Sequence, residues 1–237
     1  MRLTPEQAQL KVQEAVDRVL PRTEPLRVLD AGCGSAAHIR FPGSAQVVGI
    51  DISQRQLDRN ASLQAKILGD IQTYPIAAGS FDAIVCWDVL EHLDDPEAAL
   101  RNLSTALKSG GVLVLACPNP HSLKGLVTKL TPHSFHVWSY RHLRGSRRAG
   151  TQDYGPFPTT MSPQIAPAAM CALAGSLGFT VELQLTFSGT RLSRRRAIGV
   201  QMTELAVEGV SLVLRLATLG KYRGELSESR FVLRKPG

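Results

Sequence analysis

Residues 27–34 read RVLDAGCG, an apolar run that ends in an acid and two closely spaced glycines. The apolar part predicts a short buried strand, and Gly32 and Gly34 let the backbone turn tightly directly after it. When a helix follows such a turn, the free N–H groups at its first residues can bind a ligand. We therefore expect a ligand site at the end of this first strand, with a helix after the turn.

Further short apolar stretches follow the first strand and alternate with segments that carry helical signals. Thr4 and Gln7 form a capping-box pattern for an N-terminal helix, and Ser53 and Asp95 are capping residues for two later helices. Short apolar strands alternating with amphipathic helices predict a parallel sheet covered on both faces. Outside the first strand and these helices, the pattern predicts strands at 46–51, 65–70, 81–87, 112–117, 179–187 and 230–234, and helices at 163–177 and 200–219.

Charge divides the chain into two unequal halves. Residues 1–97 contain fourteen acidic and nine basic residues and sum to −5, whereas residues 98–237 contain six acidic and eighteen basic residues and sum to +12. Residues 98–152 contain no acid at all. A split of this size indicates that the two halves meet different partners, with an anionic one on the basic side.

Several classes of protein do not fit this sequence. The first residues lack the apolar core of a signal peptide, and no run of eighteen apolar residues is present, so we expect a cytoplasmic protein. The cysteines are scattered without a CxxC pair, which indicates reduced thiols and neither a disulfide framework nor a metal site. These are Cys33, Cys86, Cys117 and Cys171.

A second acid, Asp51, ends the second predicted strand, where a carboxylate can accept both hydroxyls of a ribose. Taken alone, Gly32, Gly34 and Ala37 also fit the spacing of a dinucleotide fingerprint. Asp30 stands where such folds usually carry an apolar residue. An acid at that point suits a ligand with an ammonium or sulfonium charge better than a pyrophosphate.

Five segments together resemble the motifs of one family, in its order and at its spacing. They are residues 28–34, 48–53, 69–71, 81–93 and 107–111. The family is the class I S-adenosylmethionine-dependent methyltransferases, and the resemblance is greatest to the small-molecule group that includes ubiquinone-pathway O-methyltransferases. It covers roughly residues 26–120.

The resemblance implies an α/β, Rossmann-like fold, whose seven-stranded sheet is mostly parallel with the last strand antiparallel and helices on both faces. It implies S-adenosyl-L-methionine as cofactor, with Asp51 on the ribose, Ile52 against the adenine and Asp70 at the exocyclic amine. The full set of expected cofactor-binding residues is Asp30, Gly32, Gly34, Asp51, Ile52, Asp70, Ile71 and Asp88.

We expect one methyltransferase domain over residues 1–237. Within it, residues 26–120 form the cofactor-binding core and residues 121–162 an acceptor-binding insertion. Residues 188–222 supply a basic loop and an amphipathic helix before the last strand.

Histidines in the insertion are the candidates for a catalytic base. Methylation of a hydroxyl needs a group that takes its proton, most often histidine. The candidates are His133 and His136, with His121 behind them, and the competing interpretation is that each is a structural or surface residue. No metal site is expected, because no acid lies near this pair of histidines in sequence.

The helix predicted at 200–219 is apolar except for one narrow polar stripe. Its apolar face must be covered. One interpretation is cover by the body of the protein and a second copy in a homodimer. The other is peripheral contact of residues 191–219 with the inner face of a membrane, with Arg191, Arg194, Arg195 and Arg196 on anionic lipid and a lipid-like acceptor.

The favoured function is methyl transfer from S-adenosylmethionine to a small-molecule hydroxyl. Two alternatives remain open. A methyltransferase acting on RNA or other nucleic acid would use the basic half, although no nucleic-acid-binding module is recognisable. A non-catalytic protein could retain the cofactor site without turnover.

Overall fold

The computed structural model describes residues 3–22, 24–143, 145–189 and 198–237. Its centre is a seven-stranded sheet in the order β3-β2-β1-β4-β5-β7-β6. Neighbours from β3 to β5 run parallel, whereas β7 is antiparallel to both β5 and β6. The predicted mostly parallel sheet with an antiparallel last strand is therefore confirmed. The strands are β1 (Arg27–Ala31), β2 (Gln46–Asp51), β3 (Ala65–Leu68), β4 (Phe81–Trp87), β5 (Leu107–Pro118), β6 (Thr180–Phe187) and β7 (Glu228–Arg234).

Seven α-helices accompany these strands in the described part of the chain. The predicted capping box is present: the side chain of Thr4 accepts from the backbone of Gln7, whose own side chain accepts from the backbone of Thr4. Ser53 and Asp95 likewise cap the helices that follow them. The helices are α1 (Pro5–Val19), α2 (Gln54–Arg59), α3 (Pro96–Ala106), α4 (Leu123–Leu130), α5 (His133–His142), α6 (Pro167–Ser176) and α7 (Ile198–Ala217).

The hydrophobic core lies on both faces of the sheet, because the central strands are buried on both sides. Every residue of β4 is buried. On one face Ile84 and Leu113 pack with side chains of α3 and α6. On the other face Val85 and Val114 pack with the apolar side of α1. Parallel strands buried on both faces read as continuous apolar runs, which is why they were readily predicted.

The helix expected after the first strand is absent, so that prediction is wrong. Residues 32–45, all of them described, form turns and extended segments. Their backbone groups bond to α1 instead: Gln13 donates from Nε2 to the carbonyl of Arg40 at 2.9 Å and accepts from its N–H at 3.0 Å. Gln9 donates to the carbonyl of His38 at 2.7 Å. Two glutamine side chains thus supply bonds that a helix would have made internally.

The segment after Pro118 contains two helices, α4 and α5, that the periodicity did not predict. Ser122 caps α4 by accepting from the backbone of Gly125 at 2.9 Å, and that pattern was legible in the sequence. None of the residues of α5 is buried, so it has no apolar stripe that periodicity could detect.

The helix α7 is oriented with its polar stripe toward the protein, so the interpretation that the body of the protein covers its apolar face is wrong for the described residues. Ser211 is fully buried and Arg215 pairs with Glu225 of the body at 3.4 Å, so the polar stripe faces the protein. Val213 and Leu216 are 64% and 69% exposed. In the described part of α7, the body of the protein therefore does not cover the apolar face. Arg191, Arg194, Arg195 and Arg196 lie outside the described residues.

We predict that Gln13→Ala destabilises the protein by about 1–3 kcal/mol, because it leaves the N–H and carbonyl of Arg40 without partners. Urea unfolding measures the change in the free energy of unfolding. Glu14→Ala, an exposed neighbour on α1, is the control and should stay within about 0.5 kcal/mol of the wild type. Equal stability of the two variants would contradict the role assigned to Gln13.

Candidate functional site

Four aspartates lie at or just past the carboxyl ends of adjacent parallel strands. Asp30 belongs to β1, Asp51 ends β2, and Asp70 and Asp88 follow β3 and β4. In the register of the sheet, Asp30 stands beside residues of both β2 and β4. Because the carboxyl ends of parallel strands meet at one edge, the sheet brings these acids to the edge where such folds bind ligands.

Asp51 joins the loop after β1 to the loop after β2. Its Oδ2 accepts from the backbone N–H of Gly34 at 2.9 Å, and its Oδ1 accepts from that of Ser53 at 2.8 Å. The N–H of Gly32 also donates to the carbonyl of Ile50 at 2.7 Å. The loop after β1 is therefore held against β2 by a carboxylate and a backbone bond, without a helix.

Gly32 and Gly34 are required in this loop for different structural reasons. Gly32 has a φ of +71°, and a Cβ there would lie 2.4 Å from Cγ2 of Val89, so packing and backbone conformation both require glycine. Gly34 has a φ of +49°, but a Cβ there would meet nothing within 4 Å. The open side of the loop is thus at Gly34, beside the carboxylate of Asp51.

Asp30 is 6% exposed and lines a cavity of about 170 Å³ together with His38 and Val85. The cavity is on the face that α1 covers, next to the irregular segment 37–45. Burial and, to a lesser extent, the neighbouring charge of Asp51 together raise the pKa of Asp30 to about 7. A cationic group in this cavity would favour the ionised form.

The other residues predicted to bind the adenine, Ile52, Asp70 and Ile71, differ in how exposed their side chains are. Ile52 is 76% exposed, an apolar side chain open to a planar ring. Asp70 accepts from the backbone of Gln72 at 2.8 Å and is partly exposed. Ile71 is 3% exposed within the core, so its backbone is the part that can meet a ligand.

Asp88 lies at a cluster that sequence reasoning did not identify. It has a φ of +53°, and its Oδ1 is 3.7 Å from Nη1 of Arg230 on β7. The same nitrogen is 3.4 Å from Oε2 of Glu228. The guanidinium of Arg230 lies 4.7 Å from the ring centroid of Trp87, and the ring of His38 stacks on that indole at 5.1 Å and 3°.

The sheet register explains why these residues meet. Trp87 on β4 pairs with Ala116 on β5, and Ala116 pairs with Arg230 on β7. Because Ala116, the residue between them, is small, the side chain of Arg230 can reach the indole of Trp87. A signal for Arg230 was available, since it is a charged residue two positions from the buried Val232 on the same face of a strand.

The predicted catalytic histidines lie in the insertion, and no described contact joins them to the strand-end acids. His121 is exposed just after β5, and His133 is exposed at the start of α5. His136 is engaged locally, with Nε2 at 3.0 Å from the hydroxyl of Thr131 and 3.2 Å from the carbonyl of Thr128.

The far end of the insertion crosses the carboxyl edge and binds α2. Oδ2 of Asp153 accepts from the hydroxyl of Ser53 at 2.7 Å, and its carbonyl accepts from Gln56 at 2.6 Å. The chain then returns past the strand-four loop, where the N–H of Thr160 donates to the carbonyl of Glu91 at 2.8 Å. The insertion therefore reaches from α2 to the loop that follows β4.

Glu91 is buried below this crossing, and its Oε2 has no hydrogen-bond partner among the described residues. Burial, and secondarily the charge of Asp88, raise the pKa of Glu91 well above its ordinary value, which favours the neutral carboxyl group. The described residues contain no group of three or more histidine, cysteine or acidic side chains placed to hold a metal ion.

Comparison with known proteins finds methyltransferases that are similar in sequence to this chain. A family model described as a methyltransferase domain matches residues 5–182. The ubiquinone biosynthesis O-methyltransferase of Xanthomonas axonopodis pv. citri is 36% identical over 118 residues, 44% of this chain and 48% of that protein. O-methyltransferase resE of Aspergillus sclerotiorum is 30% identical over 115 residues, 40% of this chain and 44% of that protein. The chain thus matches about half the length of these curated relatives.

Two solved structures share the fold. A SAM-dependent methyltransferase from Archaeoglobus fulgidus has a TM-score of 0.55 at 18% identity, covering 96% of this chain and 94% of that one. The [4+2]-cyclase SpnF has a TM-score of 0.57 at 17% identity, covering 98% and 82%. At these identities the likeness concerns the fold alone.

We predict that Asp30 makes the folded protein less stable as pH rises from 5 to 8. The folded state holds the proton of Asp30 up to about pH 7, whereas the unfolded state releases it near the ordinary value of 3.8. The folded state therefore binds more protons in this window, and stability falls by about 2–3 kcal/mol. Urea unfolding of Asp30→Asn should lack this loss.

Asp94→Asn, which removes an exposed acid, is the matched control and should retain the wild-type pH dependence. If Asp30→Asn shows the same slope as the wild type between pH 5 and 8, the protonated state assigned to Asp30 is wrong.

Proposed function

We propose, because this chain belongs to the methyltransferase-domain family, that it transfers a methyl group from S-adenosylmethionine to a hydroxyl group of a small molecule. The family match confirms the resemblance seen in the sequence to class I S-adenosylmethionine-dependent methyltransferases. The names of the relatives support the choice of oxygen as the methylated atom. The acceptor itself and the residues that act on it belong to the proposal.

The observation that carries this proposal is the arrangement around Asp51. Its carboxylate lies between the open side of the loop at Gly34 and the exposed side chain of Ile52. A carboxylate suits ribose hydroxyls and an exposed apolar side chain suits a purine ring, so these residues fit the nucleoside of the cofactor. When bound, S-adenosylmethionine supplies an electrophilic methyl group on a positively charged sulfur.

The acids at the strand ends support a cationic ligand beside this nucleoside. Asp30 in its cavity and Asp88 at the end of β4 flank the loop of Gly32 and Gly34. We assign Asp70 and the backbone of Ile71 to the adenine end. Aligning the donor and acceptor in a dry, fixed geometry is the main task of the protein in such a displacement.

The basic half of the chain supports an anionic acceptor. Residues 121–152 of the insertion contain no acid. Its basic side chains include Lys124, Lys129, Arg141, Arg147 and Arg148. Such a surface raises the local concentration of a negatively charged substrate.

A binding protein without methyl transfer is the second candidate. The fold itself does not specify methyl transfer, since the [4+2]-cyclase SpnF shares it. The basic half would also serve a nucleic-acid substrate, and a steep salt dependence of RNA binding would favour that third candidate.

For the outward apolar face of α7 we propose peripheral contact with an anionic membrane. The helix α4 contacts α7 and also exposes the apolar side chains of Leu126, Val127 and Leu130, with Lys124 and Lys129 on the same helix. Apolar surface flanked by cations suits anionic lipid. No described helix is long and apolar enough to cross a membrane. A second copy of the chain is the competing occupant.

We predict that Asp51→Ala weakens binding of S-adenosylhomocysteine at least tenfold, because the ribose loses its acceptor and the loop at Gly34 loses its tether. Isothermal calorimetry measures the dissociation constant. Asp58→Ala, which removes an exposed acid from the adjacent helix α2, is the control and should bind as the wild type does. Equal binding by Asp51→Ala, or wild-type binding of NAD alone, would refute the cofactor assignment.

We also predict that the wild type floats with phosphatidylglycerol vesicles more than with phosphatidylcholine vesicles. Val213→Asp/Leu216→Asp should abolish flotation because it places charge on the apolar face of α7. Leu10→Asp, at an exposed leucine of α1, should leave it unchanged. A wild-type dimer that ignores vesicles and dissociates in the double variant would identify a second copy as the occupant.

A further inference from the structure

A histidine outside the insertion lies at the carboxyl end of β4. His38 follows the glycine loop of β1, and its ring stacks in parallel on Trp87, the last residue of β4. Asp88 is the next residue, and Arg230 approaches the same indole from β7. The backbone of His38 is anchored by the hydrogen bond from Gln9 of α1.

We propose that His38 is the general base that removes the proton of the acceptor hydroxyl, with Trp87 and Gln9 as its positioning residues. This rests on the proposed function, because it assumes a hydroxyl acceptor beside the cofactor loop. It replaces the three histidines of the insertion, His121, His133 and His136, in that role.

Location favours His38 over those three. It is on the segment that continues from Gly34, four residues along, and it lines the cavity of Asp30. A base must reach the acceptor where the acceptor meets the methyl group, which in this fold is next to the glycine loop and the end of β4. Nε2 of His136, by contrast, lies against the carbonyl of Thr128 and the hydroxyl of Thr131.

The surroundings of the imidazole suit a base. His38 is exposed at the surface, but partial desolvation of its ring lowers its pKa; Asp88 opposes this shift and Arg230 adds to it. The charged groups around it are Arg230 from β7 and Asp88 from the end of β4, and the titratable Asp30 of β1 lines the same cavity; α1 contributes the neutral Gln9, which bonds to the carbonyl of His38. The imidazole is therefore neutral at pH 7 and has an unprotonated ring nitrogen that can accept a proton.

In this arrangement the proton of the acceptor hydroxyl can pass to His38 and from there to water. As the acceptor oxygen forms its bond to the methyl carbon, its proton moves to the unprotonated ring nitrogen of His38. The carbon–sulfur bond breaks with its electron pair on sulfur, so the positive charge passes from sulfur to the imidazole. His38 is exposed, and it then releases the proton to water.

The first experiment tests the contact and titration of His38 without any ligand. The chain has two tryptophans, so Trp138→Phe leaves Trp87 as the sole indole. An imidazolium stacked on an indole quenches its fluorescence. The emission of Trp87 should fall as pH decreases, with a midpoint below that of free histidine, and Trp138→Phe/His38→Asn should lack this step. A step that persists without His38 would overturn the placement.

The second experiment tests base function with 4-nitrophenol, whose phenolate is read by its absorbance, added to the complex with S-adenosylhomocysteine. The wild type should ionise the bound phenol at lower pH than free solution does, His38→Asn should not, and His136→Asn should retain the effect. A wild type without the shift, or a shift that survives His38→Asn, would refute the assignment.

Cofactor affinity distinguishes a failure of the base assignment from a failure of the proposed function. His38→Asn should bind S-adenosylhomocysteine within about twofold of the wild type while methylation of any accepted hydroxyl falls about 100-fold or more. Weaker cofactor binding by His38→Asn would make His38 a cofactor ligand and end the base assignment. If the wild type binds no S-adenosylhomocysteine, the proposed function fails, and the base assignment fails with it.

Discussion

The carboxylate of Asp51 is the interaction on which the geometry of the edge depends. It accepts one N–H from the loop after β1 and one from the loop after β2, so it closes the junction between two adjacent parallel strands. In folds of this kind a helix usually continues from the glycine loop and holds it in place. In this chain that support comes from Asp51, from the glutamines of α1 and from the buried Asn60, which donates to the carbonyls of Cys33 and Gly34.

The parts of the fold that could be predicted are those determined by residues close to one another in the sequence. β4 is buried along its whole length, and the acids that end β1 and β2 stand next to apolar runs. Capping residues such as Thr4 and Ser53 act within four residues of their own position. Burial on both faces and short-range hydrogen bonds leave a clear mark in a single sequence.

The parts that were missed depend on contacts between distant segments. The glycine loop lacks its helix because Gln9 and Gln13 bond to residues almost thirty positions away. The insertion reaches α2 through Asp153, about a hundred positions from its partners. On α7, periodicity separates a polar stripe from an apolar face but cannot tell which side of the helix meets the protein; the buried Ser211 and the ion pair of Arg215 with Glu225 show that the polar side does.

The docking of α1 has a consequence for the order in which the chain assembles. Val12 and Val16 of α1 pack with Val232 of β7, in a cluster that also receives Leu183 of β6. α1 is synthesised before the sheet, but the surface that holds it, formed in part by β4 and β5, is complete only after β7 has been synthesised. The glycine loop with His38, which α1 anchors, therefore reaches its final position among the last parts of the molecule. During synthesis the sheet from β1 to β5 can form while the site it carries is still open.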